Sequence, residues 1–149
     1  MPCAGGGAAG AGPCVAGPGD DGRITLLATT AEIYGPSIVL EDQYQNLGYW
    51  SSESDRAAWS VAIEREGEFT VRLNYACADE SSGNRYALEA GSKQLAGKVA
   101  GTGSWDNYRT IDVGRVSLAA GKQQIVVRPS DPVRGALLDL KSIELTPAK

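Results

Sequence analysis

The middle of the chain alternates between apolar and polar residues. Trp59, Val61 and Ile63 are interleaved with Ser60, Ala62 and Glu64; beyond Glu66-Gly67, Phe69, Val71, Leu73 and Tyr75 are interleaved with Thr70, Arg72 and Asn74. A period of two sends successive side chains to opposite faces of a strand, so each run has one face for a core and one for solvent. The turn residues between the two runs predict a hairpin. Residues 85–90 and 94–99 form a second pair around Gly91-Ser92-Lys93, and 108–113, 123–128 and 137–145 complete the set, with a further turn at Gly121-Lys122. In the last run the apolar phase slips from Leu138 and Leu140 to Ile143 and Leu145. Without a bulge near Lys141-Ser142, half of those side chains would face water. Apolar residues nowhere repeat at helical spacing over ten or more positions. Short strands separated by frequent turns predict an all-β protein, an antiparallel β-sandwich of jelly-roll type, spanning residues 23–149 as one domain.

Residues 1–22 are of another kind. They read Met-Pro-Cys-Ala-Gly-Gly-Gly-Ala-Ala-Gly-Ala-Gly-Pro and continue in that style to Gly22. Such a stretch lacks the large side chains needed to offset the entropy of ordering and is expected to be a flexible linker. The basic start and Leu- or Val-rich centre of a signal peptide are missing from it, so a module taken from within a longer chain is expected.

Composition narrows the function classes. The 149 residues carry 14 basic and 18 acidic side chains, a net charge of −4 that argues against a nucleic-acid partner. No run approaches the apolar length of a membrane-spanning helix. With 0 histidines, the commonest general base and metal ligand is missing. Cys3, Cys14 and Cys77 are an odd set at irregular spacing, neither a disulfide framework nor a zinc pattern. Cys3 and Cys14 are close enough in sequence to pair; Cys77, within Tyr75-Ala76-Cys77-Ala78, reads as a small buried hydrophobe. There is no Gly-Xaa-Ser-Xaa-Gly elbow and no phosphate-binding Gly-Lys-Ser/Thr. Glu64, Glu66 and Glu68 flank a turn and are expected to point outward rather than to form the close carboxyl pair of a glycosidase, and Asp79-Glu80 reads as a polar turn. The chain is therefore expected not to be an enzyme.

Several segments carry a family resemblance: Ala31-Glu32-Ile33-Tyr34-Gly35, Asn46-Leu47-Gly48-Tyr49-Trp50 followed by Asp55 and Trp59, and Glu66-Gly67-Glu68-Phe69-Thr70-Val71. Gly103-Ser104-Trp105-Asp106-Asn107-Tyr108, Leu118-Ala119-Ala120-Gly121 and Leu138-Asp139-Leu140-Lys141-Ser142-Ile143-Glu144-Leu145 continue it. Over residues 24–147 the order and spacing resemble the galactose-binding-like β-sandwich modules, close to carbohydrate-binding families six and thirty-five and to modules appended to bacterial fucosidases. The resemblance implies a sandwich fold and, as the leading expectation, a non-catalytic carbohydrate-binding module that targets a linked catalytic domain to polysaccharide. It would act outside the cell or in the periplasm. The alternative is a structural or protein-interaction sandwich, an accessory domain of a larger glycoside hydrolase chain with no sugar site of its own.

A sugar ring stacks one C–H face on an indole or phenol while polar neighbours bond its hydroxyls. Trp105 and Tyr108, around Asp106 and Asn107, have this mixture, and the resemblance places them near a ligand-binding loop end. Trp105 is also readable as a structural tryptophan that caps the core. Tyr49 and Trp50 stand between a loop reading and a structural one, whereas Trp59 is in phase with Val61 and Ile63 and belongs to the core. The related modules place a sugar-bonding Asn in the last connection, residues 128–135; here Asp131 and Arg134 stand instead, either as turn residues or, for Arg134, as a bidentate partner for a uronate. The resemblance also implies a structural calcium ion between Glu32 and Asp139, with backbone carbonyls completing the shell. Thr30 stands where the family has a second acid, and Asp139 is also readable as a solvent-facing strand residue.

Overall fold

The alternating runs become strands with one buried face each. The computed structural model describes residues 15–19, 22–41 and 43–148. Its strands are β1 (Val15–Ala16), β2 (Ile24–Leu27), β3 (Glu32–Tyr34), β4 (Val39–Glu41), β5 (Asn46–Gly48), β6 (Arg56–Ile63) and β7 (Gly67–Ala76), then β8 (Arg85–Ala90), β9 (Lys93–Lys98), β10 (Arg109–Leu118), β11 (Gly121–Pro129) and β12 (Asp139–Pro147). Two single 3-10 turns, Ala28–Thr30 and Asp79–Ser81, are the only helical pieces among the described residues. Among those residues no helix is long and apolar enough to cross a membrane.

The strands form two six-stranded sheets. One runs β1-β6-β11-β8-β9 with β3 also on β6; the other runs β10-β7-β12-β5-β4 with β2 also on β12. Every strand pairing is antiparallel except β1 with β6, where Val15 and Ala16 lie opposite Ser60 and Val61. These two residues fall in the segment expected to be linker, so the first strand precedes the boundary expected at residue 22; Cys3 and Cys14 lie outside the described residues. The inner faces meet in one core that includes Leu47, Trp50 and Leu140 near one end, with Val61, Val71, Leu73, Leu88, Ile125, Ile143 and Leu145. Burial of such aliphatic side chains at about 25 cal/mol per Å² is the main favourable term in the fold. Cys77 and Trp59 are in this core, as expected, and the Trp59 indole donates to the Leu27 carbonyl at 2.9 Å.

The pairing of the central strands differs from expectation. β6 and β7 are not a hairpin: β6 pairs with β11, and β7 with β10 and β12, so the turn at residues 64–66 crosses from one sheet to the other. A period of two shows that a strand has one buried face, but two such strands satisfy it equally by pairing edge to edge or by facing each other across a sandwich. The β8–β9 hairpin forms as expected, from Arg85 opposite Lys98 to Ala90 opposite Lys93. The expected bulge is also present, as a register shift between Leu140 and Ser142 against β7. A second shift, between Asp112 and Gly114 on β10, had no sequence signal.

Candidate functional site

Loops from both sheets converge on one cavity of about 670 Å³, lined by Glu41, Tyr44, Tyr49, Ser81, Trp105, Asp106, Tyr108, Gly135, Ala136 and Asp139. Each contributing segment is tied down by its own hydrogen bonds. The tight connection from β4 to β5 is closed by the amides of Tyr44 and Gln45, which donate to the Glu41 carbonyl at 3.2 and 2.8 Å. Immediately after β5, Tyr49 takes a left-handed backbone conformation (φ 53), unusual for a large side chain. The kink sends two adjacent aromatics opposite ways: Tyr49 is 66% exposed on the cavity wall, and Trp50 is 0% exposed in the core.

The loop carrying Trp105 hangs from the end of β7. Thr102 donates its amide to the Cys77 carbonyl at 2.8 Å, its hydroxyl accepts from the Cys77 amide at 3.0 Å, and the Gly103 amide donates to Asp79 Oδ1 at 3.1 Å. Cys77 is structural here, a buried thiol pushed up to about 11 by burial, first, and by nearby acids. The last loop is clamped by buried Asn84, whose Nδ2 donates to the carbonyls of Arg134 (2.8 Å) and Ala136 (3.1 Å) and whose Oδ1 accepts from the Arg134 amide at 2.8 Å. The Leu137 amide then donates to the Trp50 carbonyl at 2.7 Å, fixing this loop beside Tyr49.

The electrostatics of the cavity are one-sided. Glu41 and Asp139 approach each other over Gly48: a Cβ there would collide with Glu41 Oε1 and stand 3.1 Å from Asp139 Oδ1. Glu41 Oε1 also accepts from Asn46 Nδ2 at 3.0 Å. Burial, and secondarily the Glu41 carboxylate, push the Asp139 carboxyl up to about 7. Burial raises the Tyr108 phenol as well, with Asp139, Glu41 and Asp106 adding to the effect, so its hydroxyl stays protonated. Lys141 places its Nζ 4.3 Å from the centroid of the Tyr108 ring.

Of the residues singled out from sequence, Tyr49, Trp105, Asp106, Tyr108 and Asp139 are brought together here. Trp105 is half-buried against the core and also lines the cavity. Trp50 is corrected: it is wholly buried and its indole Nε1 donates to the Asp55 carbonyl at 3.0 Å, so it offers no sugar platform. The Asn107 side chain is turned onto the Thr102 carbonyl, and the exposed Arg134 guanidinium donates to the Ser82 carbonyl at 3.0 Å; neither lines the cavity. Asp131 forms an exposed ion pair with Arg85 at 3.5 Å, in keeping with a turn residue.

Glu32 and Asp139, the pair the resemblance implies for calcium, stand on different sheets. Glu32 is on β3 in one sheet, where its carboxylate accepts from the Tyr34 hydroxyl at 3.1 Å, while Asp139 begins β12 in the other sheet, beside Glu41. Among the described residues no group of three or more His, Cys, Asp or Glu side chains is placed to hold a metal ion. Sequence reasoning missed Glu41 and Tyr44, which stand just before Asn46-Leu47-Gly48; an acid and an aromatic in a short turn was the available signal.

No family model and no curated protein matches the sequence. Solved structures do match the fold. A family 35 carbohydrate-binding module from Clostridium thermocellum superposes with a TM-score of 0.71 at 15% identity, covering 85% of this chain and 98% of that one. The C-terminal family 6 module of a laminarinase from Zobellia galactanivorans gives a TM-score of 0.68 at 18% identity, covering 83% and 98%. A β-(1,4)-mannanase of Podospora anserina that joins a family 26 glycoside hydrolase to a family 35 module gives 0.69 at 18% identity; the match covers 87% of this chain but only 28% of the mannanase. At these identities the likeness speaks to architecture, and the architecture of this chain is the two-sheet β-sandwich of the family 35 and family 6 modules.

Proposed function

We propose that this domain is a non-catalytic carbohydrate-binding module whose ligand occupies the loop-end cavity. One observation carries the reading: Tyr44, Tyr49, Trp105 and Tyr108 line a single cavity together with Glu41, Asp106 and Asp139. Aromatic faces stack on the C–H faces of a pyranose, carboxylates accept from its hydroxyls, and a concave site with a few polar groups among apolar walls is the usual form of a small-ligand site. The likeness to modules of the same architecture supports this, and the mannanase shows such a module joined to a catalytic domain. Joined in that way, the domain would raise the effective concentration of its enzyme on a polysaccharide outside the cell or in the periplasm.

Affinity electrophoresis of the full chain against a panel of soluble polysaccharides tests the proposal, with Tyr49→Ala beside the parent. Retardation by at least one glycan, relieved by the substitution, is the expected result. Unretarded migration of folded parent protein through every glycan would overturn it.

A further inference from the structure

The charge of the cavity names a narrower ligand class, an inference that rests on the carbohydrate-binding reading above. Three carboxyl groups, Glu41, Asp106 and Asp139, line the cavity, and no Lys or Arg is among its lining residues. Arg134 is engaged with the Ser82 carbonyl and Arg85 with Asp131, while Lys141 comes close, its Nζ over the ring of cavity-lining Tyr108, and leaves the carboxyl groups in excess. Beside the acid pair, Asn46 is 0% exposed and fixed to Glu41 through its Nδ2, and its Oδ1 has no partner among the described residues. Glu41 Oε1 and Asn46 Oδ1 are thus acceptors at this corner with capacity left for a donor.

A uronate would bring another negative charge among these carboxylates and is disfavoured by Coulomb repulsion in a partly desolvated site. A small metal ion needs several oxygens in one tight shell, and among the described residues the acids do not form such a group. An ammonium carried on a sugar ring meets neither difficulty. It supplies N–H donors for a charge-assisted bond to Glu41 and a further hydrogen bond to Asp139, spreads its charge toward the aromatic faces, and leaves the pyranose to stack on Tyr49 or Trp105.

We infer that the cavity selects glycans bearing a free amino sugar, such as oligomers of glucosamine, over their N-acetylated and acidic counterparts. Isothermal titration of the full chain against a glucosamine oligomer, the matching N-acetylglucosamine oligomer and an oligogalacturonate tests this, at mildly acid pH, with calcium and with chelator. The glucosamine oligomer is expected to bind about tenfold or more tightly than either, the scale of one charge-assisted contact. Glu41→Gln, which keeps side-chain shape, is expected to erase that preference. Equal or better binding of the N-acetylated oligomer would overturn the inference and leave the carbohydrate-binding reading intact. So would calcium-dependent binding of the galacturonate. Failure to bind any of these oligomers or any neutral polysaccharide would overturn both. The ranking of ligands on the parent protein decides the matter even where a variant does not fold.

Discussion

The indole Nε1 of Trp50 donates to the backbone carbonyl of Asp55 at 3.0 Å, and the Asp55 carboxylate in turn accepts the amides of Ser37, Ser51 and Ser52 at 3.0, 3.1 and 2.9 Å. Asp55 is fully buried and its carboxylate gathers three partly buried N–H groups onto one acceptor. The two residues knot the segment after β5 to the start of β6, and that knot holds Trp50 inward and Tyr49 outward. Asp55→Ala is expected to lower stability by about 2–3 kcal/mol, because three partly buried donors lose their shared acceptor at once. Trp50→Phe keeps most of the packing and loses one bond, for about 1–2 kcal/mol, with glycan binding unchanged. Urea unfolding monitored by far-UV circular dichroism measures both, and a binding defect in folded Trp50→Phe would contradict the burial of that indole.

Tyr49 gives the opposite signature. Its ring stands in solvent, so Tyr49→Ala should change stability by no more than about 0.5 kcal/mol. If the ring is a stacking platform, the same variant weakens glycan affinity by roughly tenfold. Trp105→Ala is expected to do both kinds of damage, since the indole is shared between core and cavity. Titration calorimetry together with unfolding curves separates the two effects.

These contrasts show how far the sequence could be read. The period-two runs give strands, the slip after Leu140 gives the bulge, and Trp59, in phase with Val61, is placed in the core, because each is a local consequence of side-chain alternation. The partner of β6 is not local. Ile63 lies opposite Gly121, far along the chain, and nothing in residues 56–76 distinguishes that ladder from a hairpin. The same holds for adjacent Tyr49 and Trp50: composition marks both as aromatic, and the positive φ at Tyr49 together with the Trp50–Asp55 bond decides which faces water. Glu41 went unnoticed because its role depends on Gly48 and Asp139, brought together across β4, β5 and β12.

Gly48 is where that assembly is most easily disturbed. Its backbone leaves the space that Glu41 Oε1 fills, and a methyl group there would displace the carboxylate from Asn46 and from Asp139. Gly48→Ala is therefore expected to cost about 1–3 kcal/mol of stability, the scale of overpacking, and to weaken amino-sugar binding more than the conservative Glu41→Gln. Gly35 is more severe: at φ 124 it packs against the Asp55 backbone, so Gly35→Ala is strained and collides, and little folded protein is expected. Thermal unfolding of the two variants tests this ordering, which would be refuted by a Gly35→Ala protein as stable as its parent.

The acid pair also gives the fold a pH dependence of unusual sign. In the folded state the Asp139 carboxyl titrates at about 7 instead of its ordinary 3.8, because burial and the Glu41 carboxylate disfavour its charge. Between those two values the native state binds the proton that the unfolded chain has released, so the stability that Asp139 contributes is full below the lower value. It declines as pH rises and is lost once pH passes the upper value. The groups that bear on this titration are Glu41 from β4, which raises it directly, with Tyr108, Asp106 and Tyr44 sharing the same cavity. Asp139→Asn removes the titration while keeping the shape, so the parent minus variant difference in unfolding free energy should fall as pH rises from acid to neutral. Other carboxylates shift both proteins alike and cancel in that difference. Denaturant midpoints of the two proteins, measured across this range, check the sign: a difference that grows with pH would mean that Asp139 is stabilised as a charged group, with a partner other than Glu41.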